Sequence, residues 1–225
     1  FLTELKYDGM APTSILFYKE VGHSQEGSKE VVSLFEGKGH FDGPKPKRLL
    51  GRLLTLANTN PDDLILDFFA GSGTTAHAAM KLNAEDSGNR KFIMVQLPEA
   101  CDEKTEAFKA GYKTIAEISK ERIRRAAAKI KKEKPEYKGD LGFKAFKLDS
   151  TNIKPWEVDF DLDGKQMEAF IENIKPDRRE EDVLYEILLK YGLDLTLPIS
   201  ERTIAGKKVF DIGMGALIIC LADAI

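Results

Sequence analysis

The stretch Leu64-Ile65-Leu66-Asp67-Phe68-Phe69-Ala70-Gly71-Ser72-Gly73-Thr74-Thr75 decides the fold. The strong turn Asn60-Pro61-Asp62-Asp63 precedes it, and Leu64 to Phe69 is an apolar run short enough to be a fully buried strand. Ala70-Gly71-Ser72-Gly73 then breaks the run, and Thr74 to Leu82 is a set of good helix formers. Lys91-Phe92-Ile93-Met94-Val95-Gln96-Leu97 is a second apolar strand closed by Pro98. Strand, glycine turn, helix and strand form a βαβ unit, so the chain is expected to be α/β with a parallel sheet. A carboxylate at a strand end faces the crevice where open α/β sheets bind ligands. The Gly71-Ser72-Gly73 turn lets a ligand approach backbone, and the helix start beyond it supplies unpaired N–H groups. Two nucleotide motifs are excluded: there is no Lys to complete GxxxxGK[ST], and Ala76 stands where GxGxxG needs its third glycine.

Upstream, Leu49, Leu50, Leu53, Leu54 and Leu56 recur at helical spacing between Pro46 and Asn58, while residues 1–46 read as irregular, broken by Gly22, Gly27, Gly37, Gly39 and Gly43. Downstream, the spacing of Ile115, Ile118, Ile123, Ala126 or Ala127, and Ile130 predicts one amphipathic helix from Glu103 to Lys134, ended by Pro135. Leu141 to Leu148 alternates with period two and reads as a half-exposed strand. Val183, Leu184, Ile187, Leu188 and Tyr191 share a helix face, with Asp177 as N-cap and Gly192 as C′ residue. A hairpin is expected from Val209–Ile212 and Ala216–Cys220, turned through Gly213-Met214-Gly215. The expected divisions are 1–46 as the tail of a preceding region, 47–154 as a ligand-binding subdomain, and 155–225 as a small α+β interaction unit.

The chain has 225 residues, which is ample for a buried core without metal or disulfide staples. Its two cysteines, Cys101 and Cys220, have no CxxC spacing and read as small buried hydrophobes rather than a disulfide or metal pair; no metal site is expected. No apolar run reaches membrane-spanning length, and Phe1-Leu2-Thr3-Glu4 is neither a start with Met nor a signal, so the chain reads as a piece of a cytoplasmic protein. The net charge of −3 hides an asymmetry. Lys120 to Lys134 carries eight bases against two acids, and Glu157 to Asp194 carries twelve acids against five bases. The first is either a phosphate-binding face, with Lys120, Arg124, Arg125 and Lys131 as its candidate contacts, or a solvated helix side.

The string Asp67 to Thr75 resembles the S-adenosylmethionine-binding motif of amino-group DNA methyltransferases of the permuted type, in which the catalytic motif precedes the cofactor motif. Pro44-Lys45-Pro46 with Leu49-Leu50-Gly51-Arg52-Leu53-Leu54 resembles the Lys-Pro-x-x-Leu-Leu element of that family. Gly88 to Glu99, Asp140 to Lys144 and Lys147 to Asn152 are similar to the modification subunit of type III restriction–modification systems. That resemblance covers about residues 40–225. It implies a partial doubly wound, Rossmann-like methyltransferase domain, S-adenosylmethionine as cofactor, and adenine N6 in DNA as methyl acceptor. It further implies double-stranded DNA, a second copy of the subunit and a restriction subunit as partners, with no membrane.

Carried over residue by residue, Lys45 and Pro46 serve the methionine end of the cofactor and Asp67 lies near its positive charge. Phe68 and Phe69 flank it, and Ala70, Gly71, Ser72 and Gly73 form the turn. Thr74 or Thr75 bonds its carboxylate or caps the helix, and Gln96 or Glu99 holds the ribose. The plainer reading of Asp67 is a helix cap, and at least one of Phe68 and Phe69 belongs to the core on strand geometry. His77 reads as structural or surface, and Trp156, which has Phe143 and Phe146 nearby in sequence, as core. The Asp-Pro-Pro-Tyr-type motif that grips the target base in this family occurs nowhere in the 225 residues, so the chain is expected to be a C-terminal part without catalytic residues, inactive alone. The rival readings are a non-catalytic module for cofactor binding or assembly, and a nucleotide-dependent enzyme of generic Rossmann type.

Overall fold

Residues 14–154 and 174–222 are described by a computed structural model, and the chain divides into two compact units, residues 1–143 and 144–225. Trp156, and with it its expected core role, lies outside the described residues.

The first unit opens with a short helix α1 (Tyr18–Val21) and a longer one, α2 (Ser24–Leu34), where an irregular segment was expected. Gly27 concealed α2, because glycine is a poor helix former. It is required there by packing: a Cβ at residue 27 would lie 2.0 Å from the Pro44 carbonyl oxygen. The helix α3 (Lys47–Leu56) starts directly after Pro46, a residue whose fixed φ suits a helix entry. Strand β1 (Leu64–Asp67), helix α4 (Thr74–Asp86) and strand β2 (Lys91–Met94) form the expected βαβ unit. The strands are parallel, with Leu64 opposite Lys91 and Asp67 opposite Met94.

The burial of the strands differs from expectation. Only Ile65 of β1 is fully buried; with Phe92 it packs on Leu54, Ala78 and Ala79 of the flanking helices. On the opposite face Leu64, Leu66, Ile93, Val95 and Leu97 are all exposed. An apolar run with one uncovered face is what a strand shows when only one of its two covering layers is among the described residues. Helix α4 is buried nearly all round: Ala76 and Met80 face Ile123, Ala126 and Ile130, while Ala78 and Ala79 face α3 and β1.

The single helix expected over 103–134 is two. Helix α5 (Glu106–Lys109) is capped by the Thr105 hydroxyl, which accepts from Phe108 N at 3.2 Å. The chain then turns at Gly111, φ +97, and α6 (Ile115–Glu133) begins with a reciprocal capping box between Thr114 and Glu117. The Thr-x-x-Glu signature was present in the sequence and outweighs the continuous apolar spacing.

In the second unit α7 (Glu180–Lys190) has Arg179, not Asp177, at its N-cap position, where the Asp182 carboxylate accepts from Arg179 N at 3.0 Å; Gly192 takes the left-handed conformation expected after the helix end, φ +68. Leu184 and Leu188 pack on Phe210, Ile212 and Ile219 of a three-stranded antiparallel sheet. The expected hairpin is there as β4 (Lys207–Ile212) and β5 (Leu217–Cys220), joined by an edge strand β3 (Ile199–Ile204) whose Ser200, Glu201 and Arg202 gave no apolar alternation. Residues 141–148 form no strand. In the first unit Leu141 and Phe143 pack on the core between α4 and α6; in the second the Lys144 ammonium donates to the Leu195 carbonyl at 2.9 Å and the Phe146 ring meets Tyr185 edge-on at 4.9 Å. No helix among the described residues is long and apolar enough to cross a membrane.

Candidate cofactor-binding site

The turn after β1 is stitched to the extension of β2. Val95 N donates to the Asp67 carbonyl at 2.8 Å, Ala70 N to the Val95 carbonyl at 3.0 Å, and Gly71 N to the Gln96 side-chain oxygen at 2.7 Å. The Asp67 carboxylate accepts from Phe69 N at 3.0 Å and from the Thr75 hydroxyl at 2.6 Å. Asp67 therefore organises the turn, and it does so from half-buried ground, neither sealed in the core nor free in solvent. It does not cap α4 in the usual sense: the N-cap is Gly73, and no side chain caps the helix start.

Gly71 and Gly73 both have positive φ, +52 and +75. Ligand approach was expected to explain both glycines. At Gly73 a protein contact requires glycine as well, since a Cβ would fall 2.7 Å from Ser119 Oγ and 3.2 Å from the Ser119 carbonyl oxygen on α6. Ser72, Thr74 and Thr75 are buried beneath the turn. Ser72 and Thr74 accept hydrogen bonds from one Arg122 amino group at 2.6 and 2.7 Å. Their hydroxyls are committed inward.

Phe68 and Phe69 are 63% and 78% exposed, and their rings stack at a tilt with centroids 5.2 Å apart. Neither belongs to the core of the described residues, contrary to the strand-geometry expectation, because the strand has ended at Asp67 before either ring is placed. An exposed aromatic pair, a carboxylate and an uncapped helix start are thus gathered at one end of the sheet. Of the two ribose candidates Gln96 is bonded into the turn. Glu99 is exposed, and its carbonyl instead accepts from Ile115 N at 3.0 Å. Lys45 is exposed between buried Pro44 and Pro46 at the entry to α3.

The basic helix does not present one face. Arg122 is fully buried, its pKa pushed down to about 10 by burial with Glu30 opposing. Arg125 donates to Glu121 at 2.7 Å and to the Leu34 carbonyl at 2.9 Å, and Arg124 pairs with Glu121 at 3.5 Å above the Phe143 ring. Lys120 and Lys131 complete the candidate contacts, half-buried and exposed respectively. The sequence reading missed the inward role of Arg122, although its spacing, four residues after Ile118 and four before Ala126, put it on the apolar side.

His77 is 3% exposed on α4. Burial first, then the charges of Arg122, Lys47, Lys129 and Lys81, pushes its pKa down to about 3. The imidazole stays neutral when folded but takes a proton near pH 6.5 when unfolded, so it adds no pH dependence above 6.5 and a growing penalty below. Acidification from pH 6.5 to 5 should therefore destabilise the first unit with a slope approaching about 1.4 kcal/mol per pH unit from this group. Urea unfolding of His77→Gln at the two pH values should show that slope reduced by His77's share; an unchanged slope would refute the assignment. Among the described residues no group of His, Cys, Asp or Glu is gathered to hold a metal.

A family model of DNA methylases, covering N6 and N4 methyltransferases, matches residues 5–129. The chain is 50% identical over 132 residues to the type III restriction-modification enzyme StyLTI Mod subunit of Salmonella typhimurium LT2, covering 59% of this chain and 20% of that protein. It is 44% identical over 112 residues to the EcoPI Mod subunit of Escherichia phage P1, 50% of this chain and 17% of the relative. To the EcoP15I Mod subunit of Escherichia coli it is 33% identical over 183 residues, 80% of this chain and 27% of the relative. The match to the family model spans more than half of the chain and includes the whole glycine turn, α4 and β2: the chain belongs to the DNA methylase family.

Proposed function

We propose that the chain is the cofactor-binding part of an adenine-specific DNA methyltransferase, the modification subunit of a type III restriction–modification system. The observation that carries this reading is the Asp67–Thr75 turn: carboxylate, exposed aromatic pair and uncapped helix start at the end of a parallel strand. That donor set suits S-adenosylmethionine, which joins a cation, a purine and a carboxylate in one molecule. When bound, this cofactor supplies an electrophilic methyl group. Asp67 would counter the positive charge, Phe68 and Phe69 would face the purine, and the start of α4 with Lys45 would meet the carboxylate. Thr74 and Thr75 act through backbone rather than hydroxyl. Gln96 is better supported than Glu99 for the ribose, because its oxygen bonds Gly71 and its amide hydrogens remain to donate.

The chain supplies binding and orientation and lacks the group that grips the base. Transfer to an exocyclic amine depends on alignment of the two reactants, so a cofactor half alone has little to catalyse. Two observations support an incomplete catalytic unit: no Asp-Pro-Pro-Tyr-type motif occurs, and the uncovered face formed by Leu64, Leu66, Ile93, Val95 and Leu97 is what a partial doubly wound sheet would leave. Duplex DNA, a second copy of the subunit and a restriction subunit are the proposed partners. Lys120, Arg124, Arg125 and Lys131 are the DNA candidates. Lys120 and Lys131 carry the proposal best, since both arginines have protein partners. In the second unit the exposed Ile218 on edge strand β5 suits a protein contact.

Calorimetric titration of the chain with S-adenosylhomocysteine and with NAD tests the reading. Binding of the first and not the second is expected. Binding of NAD alone would favour a generic nucleotide enzyme, and binding of neither would remove the cofactor assignment.

A further inference from the structure

Arg122 has no exposed surface, yet it is a cation, and burying a cation is costly unless its donors are used. Only one of its amino groups is used in hydrogen bonds; Nε and the other amino group are buried without a hydrogen-bond partner among the described residues, and the second is held by charge alone. One amino group donates to Ser72 Oγ at 2.6 Å and Thr74 Oγ1 at 2.7 Å, gripping both sides of Gly73. The other lies 3.6 Å from Glu30 Oε2 on α2. That same Glu30 oxygen accepts from Lys47 N at 3.0 Å, the first residue of α3, immediately after Lys45 and Pro46. Four elements thus meet through one ion pair, its cation fully buried and its carboxylate half-buried: the glycine turn, α6, α2 and the entry to α3. Neither Arg122 nor Glu30 is on the exposed surface of the turn where a ligand would lie.

We propose that Arg122 and Glu30 are positioning residues for the cofactor, a relay that holds the glycine turn in register with the Lys45–Pro46 element. The inference rests on the reading of those two segments as the cofactor site. It goes beyond that reading by naming two residues that touch no cofactor and set the spacing of those that do. The physical reason is geometric. The two segments are 21 residues apart between Pro46 and Asp67 and, on that reading, hold opposite portions of one small molecule, so a displacement of about 1 Å between them spoils its fit and its alignment for transfer, the latter worth on the order of 100-fold in rate. On the turn side the link is a pair of charge-assisted hydrogen bonds, restricted in distance and angle; on the α2 side it is Coulombic attraction to Glu30 at 3.6 Å, little screened at a buried cation and passed on by the hydrogen bond from Lys47 N. A turn on two glycines with positive φ needs such an external brace.

The test uses the full subunit containing this chain, with Glu30→Gln, Arg122→Lys and Ser72→Ala made separately. Glu30→Gln keeps an acceptor for Lys47 N while removing the charge, and Ser72→Ala removes one acceptor without disturbing the cation. These two variants keep the test open should Arg122→Lys fail to fold. For folded variants, judged by thermal unfolding, KM for S-adenosylmethionine and the dissociation constant of S-adenosylhomocysteine should rise about 10-fold for Arg122→Lys and several-fold for the others. KM for DNA should stay within twofold. A general loss of structure would instead raise both KM values together. The relay is overturned if wild type binds S-adenosylhomocysteine and the folded variants bind it within twofold of wild type. If wild type does not bind it at all, the cofactor reading itself falls, and the relay with it.

Discussion

Gly73→Ala should destabilise the first unit by about 3 kcal/mol, lowering its melting temperature by roughly 10 °C. Two independent costs combine at this position. Alanine at φ +75 adopts the left-handed conformation at a penalty of about 1 kcal/mol. Its methyl group would also stand 2.7 Å from Ser119 Oγ and 3.2 Å from the Ser119 carbonyl oxygen. The hydroxyl can rotate, but the carbonyl belongs to the backbone of α6 and moves only if the helix does, at a further cost of about 2 kcal/mol. Gly37→Ala separates the two costs, because residue 37 has φ +93 and nothing within 4 Å of a built Cβ. It should lose only the conformational part, about 1 kcal/mol. Equal melting temperatures for the two variants would show that the α4–α6 contact tolerates the methyl group.

Asp67→Ala should weaken S-adenosylhomocysteine binding by about 100-fold, equivalent to about 2.7 kcal/mol. The carboxylate has two tasks: it orders the turn by accepting from Phe69 N and the Thr75 hydroxyl, and it supplies the negative charge of the proposed site. Alanine removes both. Asp67→Asn retains an acceptor for Phe69 N and can donate to Thr75 Oγ1, so it tests the charge with the turn kept. The asparagine variant should unfold within about 1 kcal/mol of wild type and still bind at least about 10-fold more weakly. Wild-type affinity in Asp67→Asn would reduce Asp67 to a structural residue of the turn.

These two residues show which parts of the molecule were legible in the sequence. The strand ending at Asp67, the glycine turn, α4 and parallel β2 follow one another locally, each signalled by its own run, turn or helix formers. The β4–β5 hairpin was legible for the same reason. What was not legible depends on contacts distant in sequence. The packing need for Gly73 comes from Ser119, 46 positions away, and has no local signal beside the glycine turn. Arg122 looked like part of a basic surface, since charge composition does not say which way a side chain turns. The partners that bury it, Ser72, Thr74 and Glu30, lie 50, 48 and 92 positions off. Helix α2 was hidden by Gly27, whose necessity comes from Pro44. The period-two run at 141–148 was real but had no strand to pair with among the described residues.

The reassignment of the basic helix also changes how DNA contact is approached. Of the eight bases from Lys120 to Lys134, Arg122 is internal, Arg124 and Arg125 share Glu121, and Lys134 donates to the Ala84 carbonyl at 2.8 Å. The charge free to meet phosphates is therefore smaller than the local balance implies, and a DNA surface on this helix would rest on Lys120 and Lys131 with Lys132.

The most direct test of the account is transfer of a labelled methyl group from S-adenosylmethionine to duplex DNA, run in parallel with the 225-residue chain and with the full subunit containing it, followed by analysis of the methylated base. N6-methyladenine is expected from the full subunit, and no transfer from the chain alone. Transfer by the chain alone, or methylation of cytosine by the full subunit, would contradict this.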